Sequence, residues 1–448
     1  MSRTVVEPGS DSRAANRWVI LVCAVLVQLA IGSVYAWSVF AKALQSDEAF
    51  GWSKSKAAVP FSVVIGMIFI GSYVGGRLQD ARGPRIVAMT GGIIYAVGVI
   101  LASFAQSPDS FWLLVIGYGV IGGFGLGMVY IVPIAMLQKW FPDKPGLITG
   151  LAVAGFGFGA VVTAPVGQAL INQSPSVPTK AFFWLGIGYL VILLLCTSVF
   201  RNPAVTPVAS APAARAADTD DRTADRIDDR NADRKALARD FTQGEALHTA
   251  QWYLLTAILT MSVTAGISLI AVAAGTASDV AGYSTAAAAG LVGVLGLFNG
   301  AGRIFWGWIS DKIGKMPAFM GILGIQGVCL LLIPHVGNAA LFAVLAALVY
   351  LCYGGGFGTM PSTAGKFFGV KNVGAIYGLM LIGWSIGGVV GPLLIASLIG
   401  SDKAYTLGFT VIGIITLAAL ILPLVTKPPR RPDEASAAPA EGAASRRH

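Results

Sequence analysis

Twelve long apolar runs follow one another along the chain, at 18–40, 57–76, 85–105, 111–137, 146–171, 181–200, 251–276, 286–309, 316–334, 339–361, 374–398 and 404–425. Each is close to the roughly 20 residues that an α-helix needs to cross a bilayer's hydrocarbon core. Within that core every backbone N–H and C=O must be satisfied by the protein itself, which leaves helices and closed barrels. Barrel strands alternate polar and apolar residues over about ten positions; these runs do not. Composition agrees, because 55% of the 448 residues are hydrophobic and 12% are charged, about half the charged share of ordinary globular domains. The sequence predicts an all-α polytopic membrane protein with twelve transmembrane helices, multi-pass in the plasma or inner membrane.

The first run, Trp18 to Phe40, exceeds the apolar core of a signal peptide, about 7–15 residues, and reads as an uncleaved first helix. Cys23, Cys196, Cys329 and Cys352 all fall inside runs, so neither a disulfide framework nor a metal-ligand spacing is expected. Between the sixth and seventh runs lies a polar stretch, 201–250, with eight Lys/Arg and nine Asp/Glu and almost no large apolar residue. Such a composition builds no core and predicts a flexible linker. The expected organisation is a tail at 1–17, a six-helix half at 18–200, this linker, a second six-helix half at 251–426, and a disordered tail at 427–448.

The net charge of +9 would suggest nucleic acid in a soluble protein, but here the basic residues occupy loops. The N-terminus, the even-to-odd loops, the linker and the C-terminus hold 25 of the 31 Lys and Arg, and the opposite loops hold five: Lys42, Lys54, Lys56, Lys180 and Lys403. The positive-inside rule then places both termini and the linker in the cytoplasm. One basic residue remains, Arg303, inside the eighth run.

The chain also repeats. GLAVAGFGFGAVV at 150–162 aligns with GLMLIGWSIGGVV at 378–390, an offset of 228 shared by Pro133 and Pro361. Asp80 and Gly83, in the turn after run two, match Asp311 and Gly314 after run eight at an offset of 231. Two halves in the same orientation imply a pseudo-twofold axis along the membrane normal, with a site between them.

Arg303 lies eight residues before Asp311, about 12 Å up the helix. Placing Arg near a helix centre costs about 2.5–3.5 kcal/mol on insertion scales. Either its guanidinium snorkels to the interface, or it faces a cavity and awaits a carboxylate, which fits its two-pronged geometry. Asn299, one turn earlier, shares its face and suits either substrate positioning or an interhelical hydrogen bond. Gln28 and Tyr35 in run one, Tyr130 in run four, and Tyr377 and Trp384 in run eleven combine apolar bodies with polar tips. They suit the wall of an organic-anion pocket or ordinary packing. Trp306 and Trp308 are expected at the membrane interface. The glycine-rich stretches, such as Gly122-Gly123-Phe124-Gly125, lack the Lys-Ser/Thr of a phosphate loop and read as helix-contact surfaces.

The paired turns resemble the loop signature of the major facilitator superfamily, matched at Gly76, Asp80, Gly83 and Arg85 and again at Gly307, Asp311, Lys312, Gly314 and Lys315. Ala81 and Pro84 depart from it. GSVYAWSVF (32–40), NGAGRIFWGWISDKIGK (299–315) and IYGLMLIGW (376–384) resemble the oxalate/formate antiporter family and the related monocarboxylate transporters. The resemblance implies that Arg303 binds substrate carboxylate. It also implies that Asp80, Arg82, Arg85, Asp311, Lys312 and Lys315 form a cytoplasmic gate of charge pairs. Oxalate exchangers carry a second cation, a Lys, where this chain has Ile382-Gly383-Trp384, and proton-coupled relatives often carry an Asp where it has Asn299. The expectation is a secondary transporter of small monocarboxylates (lactate, pyruvate or formate type), working by alternating access as a monomer in the lipid bilayer. A counter-anion or a proton would move with the substrate; no cofactor, metal, catalytic residue or nucleic acid is involved. An oxalate/formate-type exchanger, an exporter of drugs or uncharged solutes, and a membrane sensor or scaffold are the rival expectations.

Overall fold

The computed structural model describes residues 16–203, 240–399 and 405–430; the outer parts of both tails, Lys403 and linker residues 204–239 lie outside them. Among the described residues, eleven helical segments are long and apolar enough to cross a membrane. In chain order they are α1 (Arg17–Gln45), α2 (Lys54–Arg82), α3 (Pro84–Ala102), α4 (Phe111–Trp140), α5 (Pro145–Asn172), α6 (Ala181–Thr197) and α7 (Ala250–Ala281), then α9 (Lys315–Leu332), α10 (Ala339–Phe368), α11 (Val373–Ile399) and α12 (Tyr405–Val425). Between α7 and α9 lies α8 (Thr285–Ile313), the helix that carries Arg303. No strand interrupts the described chain.

Local chemistry sets the helix ends. Ser53 accepts a hydrogen bond from the Lys56 N–H at the start of α2, and Ser284 accepts one from Ala287 at the start of α8. Both are N-caps that satisfy an otherwise orphaned amide. The same helices stop at Gly83 (φ 86°) and Gly314 (φ 96°), a backbone region that disfavours any side chain. Both helices are 29 residues long, and caps and stops repeat at the offset of 231. The repeat seen in the sequence is thus a repeat of structure.

It extends to packing. α5 lies against α8, and the first turns of α11 lie against α2. A Cβ on Gly146 would strike the Gly307 carbonyl, and one on Gly76 would strike the Gly374 carbonyl. Likewise Gly150 abuts the carbonyl of Arg303, and Gly378 that of Ser72. These contacts exchange under the two offsets, so Ser72 is the repeat-mate of Arg303. Only one of the two equivalent positions carries a charge.

Four helices are interrupted. α4 carries a π-helical stretch, Val115–Gly122, and α12 breaks between Ala418 and Ile421. α1 tightens into a 3₁₀ turn over Gly32–Ala36, and α11 breaks at Leu381 between Val373–Met380 and Ile382–Ile399. Apolar side chains such as Trp112, Trp184 and Leu195 remain exposed on the bundle's outside, which suits a lipid-facing belt. The halves meet at the Asp80/Asp311 end. Toward the other end Val161, Val162 and Val166 of α5 and Val389 and Leu393 of α11 are exposed. Added Cβ atoms at Gly290, Gly293 and Gly296 of α8 would touch nothing.

Two expectations change. Residues 240–249, assigned to the flexible linker, instead form an ordered approach to α7 that includes a capped short helix, Gln243–Leu247. Trp306, expected at the interface, is buried at 6% exposure and lies against Gly321 and Gly355. Two missing side chains opposite leave room for the indole. Trp308 is exposed, with the Lys312 ammonium 4.1 Å over its ring.

Candidate functional site

The guanidinium of Arg303 lies at the core of the bundle, with 1% of the residue exposed. It does not snorkel. Its Nε donates to Asn299 Oδ1 at 3.4 Å, and one terminal nitrogen donates to the Val153 carbonyl at 3.0 Å. The other terminal nitrogen, Nη2, has no partner. Val153 belongs to α5, so the bond joins the two halves. Phe156 of α5 and Phe357 of α10 place their rings 5.7 and 5.2 Å from the guanidinium carbon, a cation–π arrangement with one ring from each half. Among the described residues Arg303 forms no ion pair.

An aromatic shell continues from these rings. Tyr35 meets Phe156 edge-on at 5.2 Å, and Tyr130 does so at 5.1 Å. Trp384 lies 5.1 Å from Phe357, 6.0 Å from Tyr130 and 6.2 Å from Phe156. Tyr130 and Tyr377 are neighbours within electrostatic reach of Arg303. The buried hydroxyls of Tyr130 and Tyr377 face each other, and that of Tyr35 faces Tyr353, without a close hydrogen bond in either pair. Native proteins rarely leave buried polar atoms unpaired, since each costs about 1–3 kcal/mol. Here three such hydroxyls lie in the aromatic shell of a guanidinium whose own Nη2 is unpaired, a donor set suited to an oxygen-rich anion. Tyr35 sits in the 3₁₀ turn of α1 and Tyr377 just before the break in α11, where interrupted helices turn side chains inward.

The structure therefore brings Arg303, Asn299, Tyr35, Tyr130, Tyr377 and Trp384 together. Gln28 is fully buried and donates to the Tyr130 carbonyl at 3.0 Å, so its amide nitrogen ties α1 to α4. Val153, Phe156 and Phe357 are additions. A backbone carbonyl leaves no mark in a sequence, but the rings do: both occur as Gly-Phe-Gly, at 155–157 and 356–358, where glycines let helices close in around one aromatic.

At the other end of α8 the residues expected to form a gate make contacts of a particular kind. Asp311 accepts from the backbone N–H groups of Gly146 and Leu147 at 3.1 and 2.9 Å, across the halves at the start of α5. Asp80 accepts from the Ala375 N–H at 2.8 Å, across the halves at the start of α11. Each carboxylate thus faces the positive end of a helix dipole. Lys315 bonds Asp311 at 2.7 Å and also Ser310 and Ser362, and Lys139 lies 3.8 Å from Asp80. Arg82, Arg85 and Lys312 are exposed, and among the described residues no ion pair joins them to either aspartate. The contacts that cross between the halves here are hydrogen bonds to backbone groups rather than charge pairs: the aspartates take amides, and Gln138 and Lys139 donate to the Pro361 and Lys371 carbonyls at 3.1 and 3.3 Å.

A helical bundle with repeated halves, a buried unpaired cation between them and paired turns at one end defines a class, the multi-pass membrane transporters. The chain belongs to the Major Facilitator Superfamily, whose sequence pattern matches residues 17–392. It is 29% identical over 437 residues to the oxalate:formate antiporter of Oxalobacter formigenes, covering 94% of this chain and 95% of that protein. It is 26% identical over 410 residues to apicoplast pyruvate carrier 1 of Toxoplasma gondii, covering 81% and 74%. In fold it resembles the proton:xylose symporter XylE, with a TM-score of 0.66 at 14% identity over 92% of this chain and 96% of that one.

Proposed function

We propose that the protein is a secondary transporter of small monocarboxylates that works by alternating access. In this reading α8 is the twelfth transmembrane helix, 18–200 and 251–426 are the moving halves, and both termini and the linker are cytoplasmic. The Asp80/Asp311 end is then the inner gate, closed here. Arg303 anchors the substrate carboxylate, Asn299 steadies the guanidinium, and Tyr35, Tyr130, Tyr377 and Trp384 wall the pocket.

The single observation that supports this reading most is the state of Arg303: buried, without an acidic partner, and with Nη2 unpaired beside three unpaired tyrosine hydroxyls. A buried charge without compensation costs several kcal/mol, and a carboxylate supplies the missing counter-charge. The roles of two relatives, oxalate:formate exchange and pyruvate carriage, point to the same chemical class. Trp384 narrows it, because the second cation that would hold a dianion is replaced by an indole packed on Phe357. Exchange of one anion for another is favoured over proton symport, since Asn299 stands where a titrating acid would serve Arg303.

Coupling follows from the Val153 bond. A carboxylate that claims the Arg303 terminal nitrogens competes with a carbonyl of the opposite half, so substrate loosens a contact that holds the halves together. The reading is tested by uptake of labelled formate, lactate, pyruvate and oxalate into proteoliposomes. Saturable uptake of a monocarboxylate supports it; transport of uncharged solutes alone defeats it.

A further inference from the structure

The last residues before α7 are built onto the turn between α10 and α11. Phe241 is buried and meets Phe368 edge-on at 5.5 Å. Its N–H donates to the Phe368 carbonyl at 2.9 Å, and its carbonyl accepts from Asn372 Nδ2 at 2.7 Å. The Asp240 carboxylate accepts from the Lys371 N–H at 2.8 Å and fills the place a Cβ on Gly369 would take. Thr242 and Glu245 form a reciprocal capping box on the helix Gln243–Leu247, which fixes the direction of the intervening side chains. Gln243 Nε2 then donates to the Ala375 carbonyl at 3.0 Å.

Ala375 is the residue whose N–H donates to Asp80 across the halves. It is thus gripped on its carbonyl by the approach segment and on its amide by the opposite half. The two aspartate contacts are otherwise unequal. Asp311 takes two amides, from Gly146 and Leu147, whereas Asp80 takes one, from Ala375. The weaker contact is the one that has acquired a second holder. Between the segment and α2 lies a cavity of about 380 Å³, bordered by Arg77, Asp80, Thr242, Gln243 and Asn372. α2 is therefore free to swing away while Gln243 keeps its hold on Ala375.

We propose that Asp240–Leu247 is a clamp whose Gln243 positions the start of α11 for Asp80 and so biases the inner gate toward its closed form. Gln243 and Asp240 act as positioning residues, since neither touches substrate. This inference rests on the alternating-access reading above, and its test needs no substrate.

Gln138 provides the reporter. It is buried, and its side chain reaches across the halves to donate to the Pro361 carbonyl at 3.1 Å, so a thiol there meets a water-borne maleimide faster when the inner gate parts. In a Gln138→Cys protein, with the labelling of the same protein lacking the reporter subtracted, Gln243→Ala and Gln243→Glu each raise the labelling rate about two- to tenfold, the weight of one neutral hydrogen bond. Gln243→Lys retains a donor of similar reach and returns the rate to near the parent value. An unchanged rate in the Ala and Glu variants overturns the clamp, as does a fall in melting temperature without faster labelling, which marks a mere structural prop. Carboxylate uptake is read separately, so failure of the clamp leaves the substrate reading intact, and the reverse.

Discussion

Trp384→Lys places a second cation in the aromatic shell of Arg303 and sets packing loss against charge selectivity. Trp384 is 2% exposed and contacts Phe357, Tyr130 and Phe156. Truncating such an aromatic outright costs roughly 3–5 kcal/mol, and the lysine stem refills part of the volume, so a loss of about half that is expected. The new ammonium lacks a partner in the free protein, which adds a penalty of several kcal/mol. Both losses fall on the unliganded and monocarboxylate-bound forms. A dianion removes the second, because its far carboxylate meets the ammonium in a charge-assisted bond worth about 1.5–3 kcal/mol, a factor of roughly ten to a hundred and fifty. The oxalate-to-pyruvate affinity ratio should rise by that factor over the parent, and oxalate should raise the variant's melting temperature more than pyruvate does. Ligand-dependent thermal unfolding in detergent, with competition uptake in proteoliposomes, reads both. A parent that already binds oxalate more tightly than formate, lactate or pyruvate refutes the reasoning, and so does a variant whose preference does not move.

Other outcomes follow from the gate and the linker. Asp311→Asn should open the inner gate more than Asp80→Asn, because it weakens two cross-half amide bonds rather than one; labelling of the Gln138→Cys reporter measures the order, and equal or reversed effects contradict it. Removing about twenty residues from within 204–239, a charged stretch poor in large apolar side chains, should leave folding and substrate affinity nearly unchanged, since such a connection sets reach rather than packing. Loss of uptake by an inserted, shortened protein contradicts this.

Much of the architecture was legible because bilayer physics writes it in plain composition: a helix that must cross lipid is long and apolar. Arg303 stood out for the same reason, as the one basic residue no loop accounts for. The repeat offsets located Asp80 and Asp311, but not their partners. Those are backbone amides of Gly146, Leu147 and Ala375, and an amide has no residue identity to read. The same holds for the Val153 carbonyl. The segment 240–249 was hidden differently: its order comes from a capping box and four bonds to residues 368–375, more than a hundred positions away, and its signals in the sequence, Phe241 and the Thr242-to-Glu245 spacing, are short. Trp306 misled because an indole two residues from Trp308 suits an interface belt, whereas Gly321 and Gly355 make room for it inside.

The central claim is that the buried guanidinium of Arg303 is the carboxylate anchor. Arg303→Gln keeps polarity and removes the charge, with loss of two charge-assisted bonds to substrate at about 1.5–3 kcal/mol each. Binding measured by substrate-induced thermal stabilisation, together with uptake, should fall by a hundredfold or more while membrane insertion is retained. Arg303→Lys should restore little, because an ammonium cannot make the two-pronged contact. A well-inserted Arg303→Gln protein that binds and takes up monocarboxylate as the parent does would contradict the account.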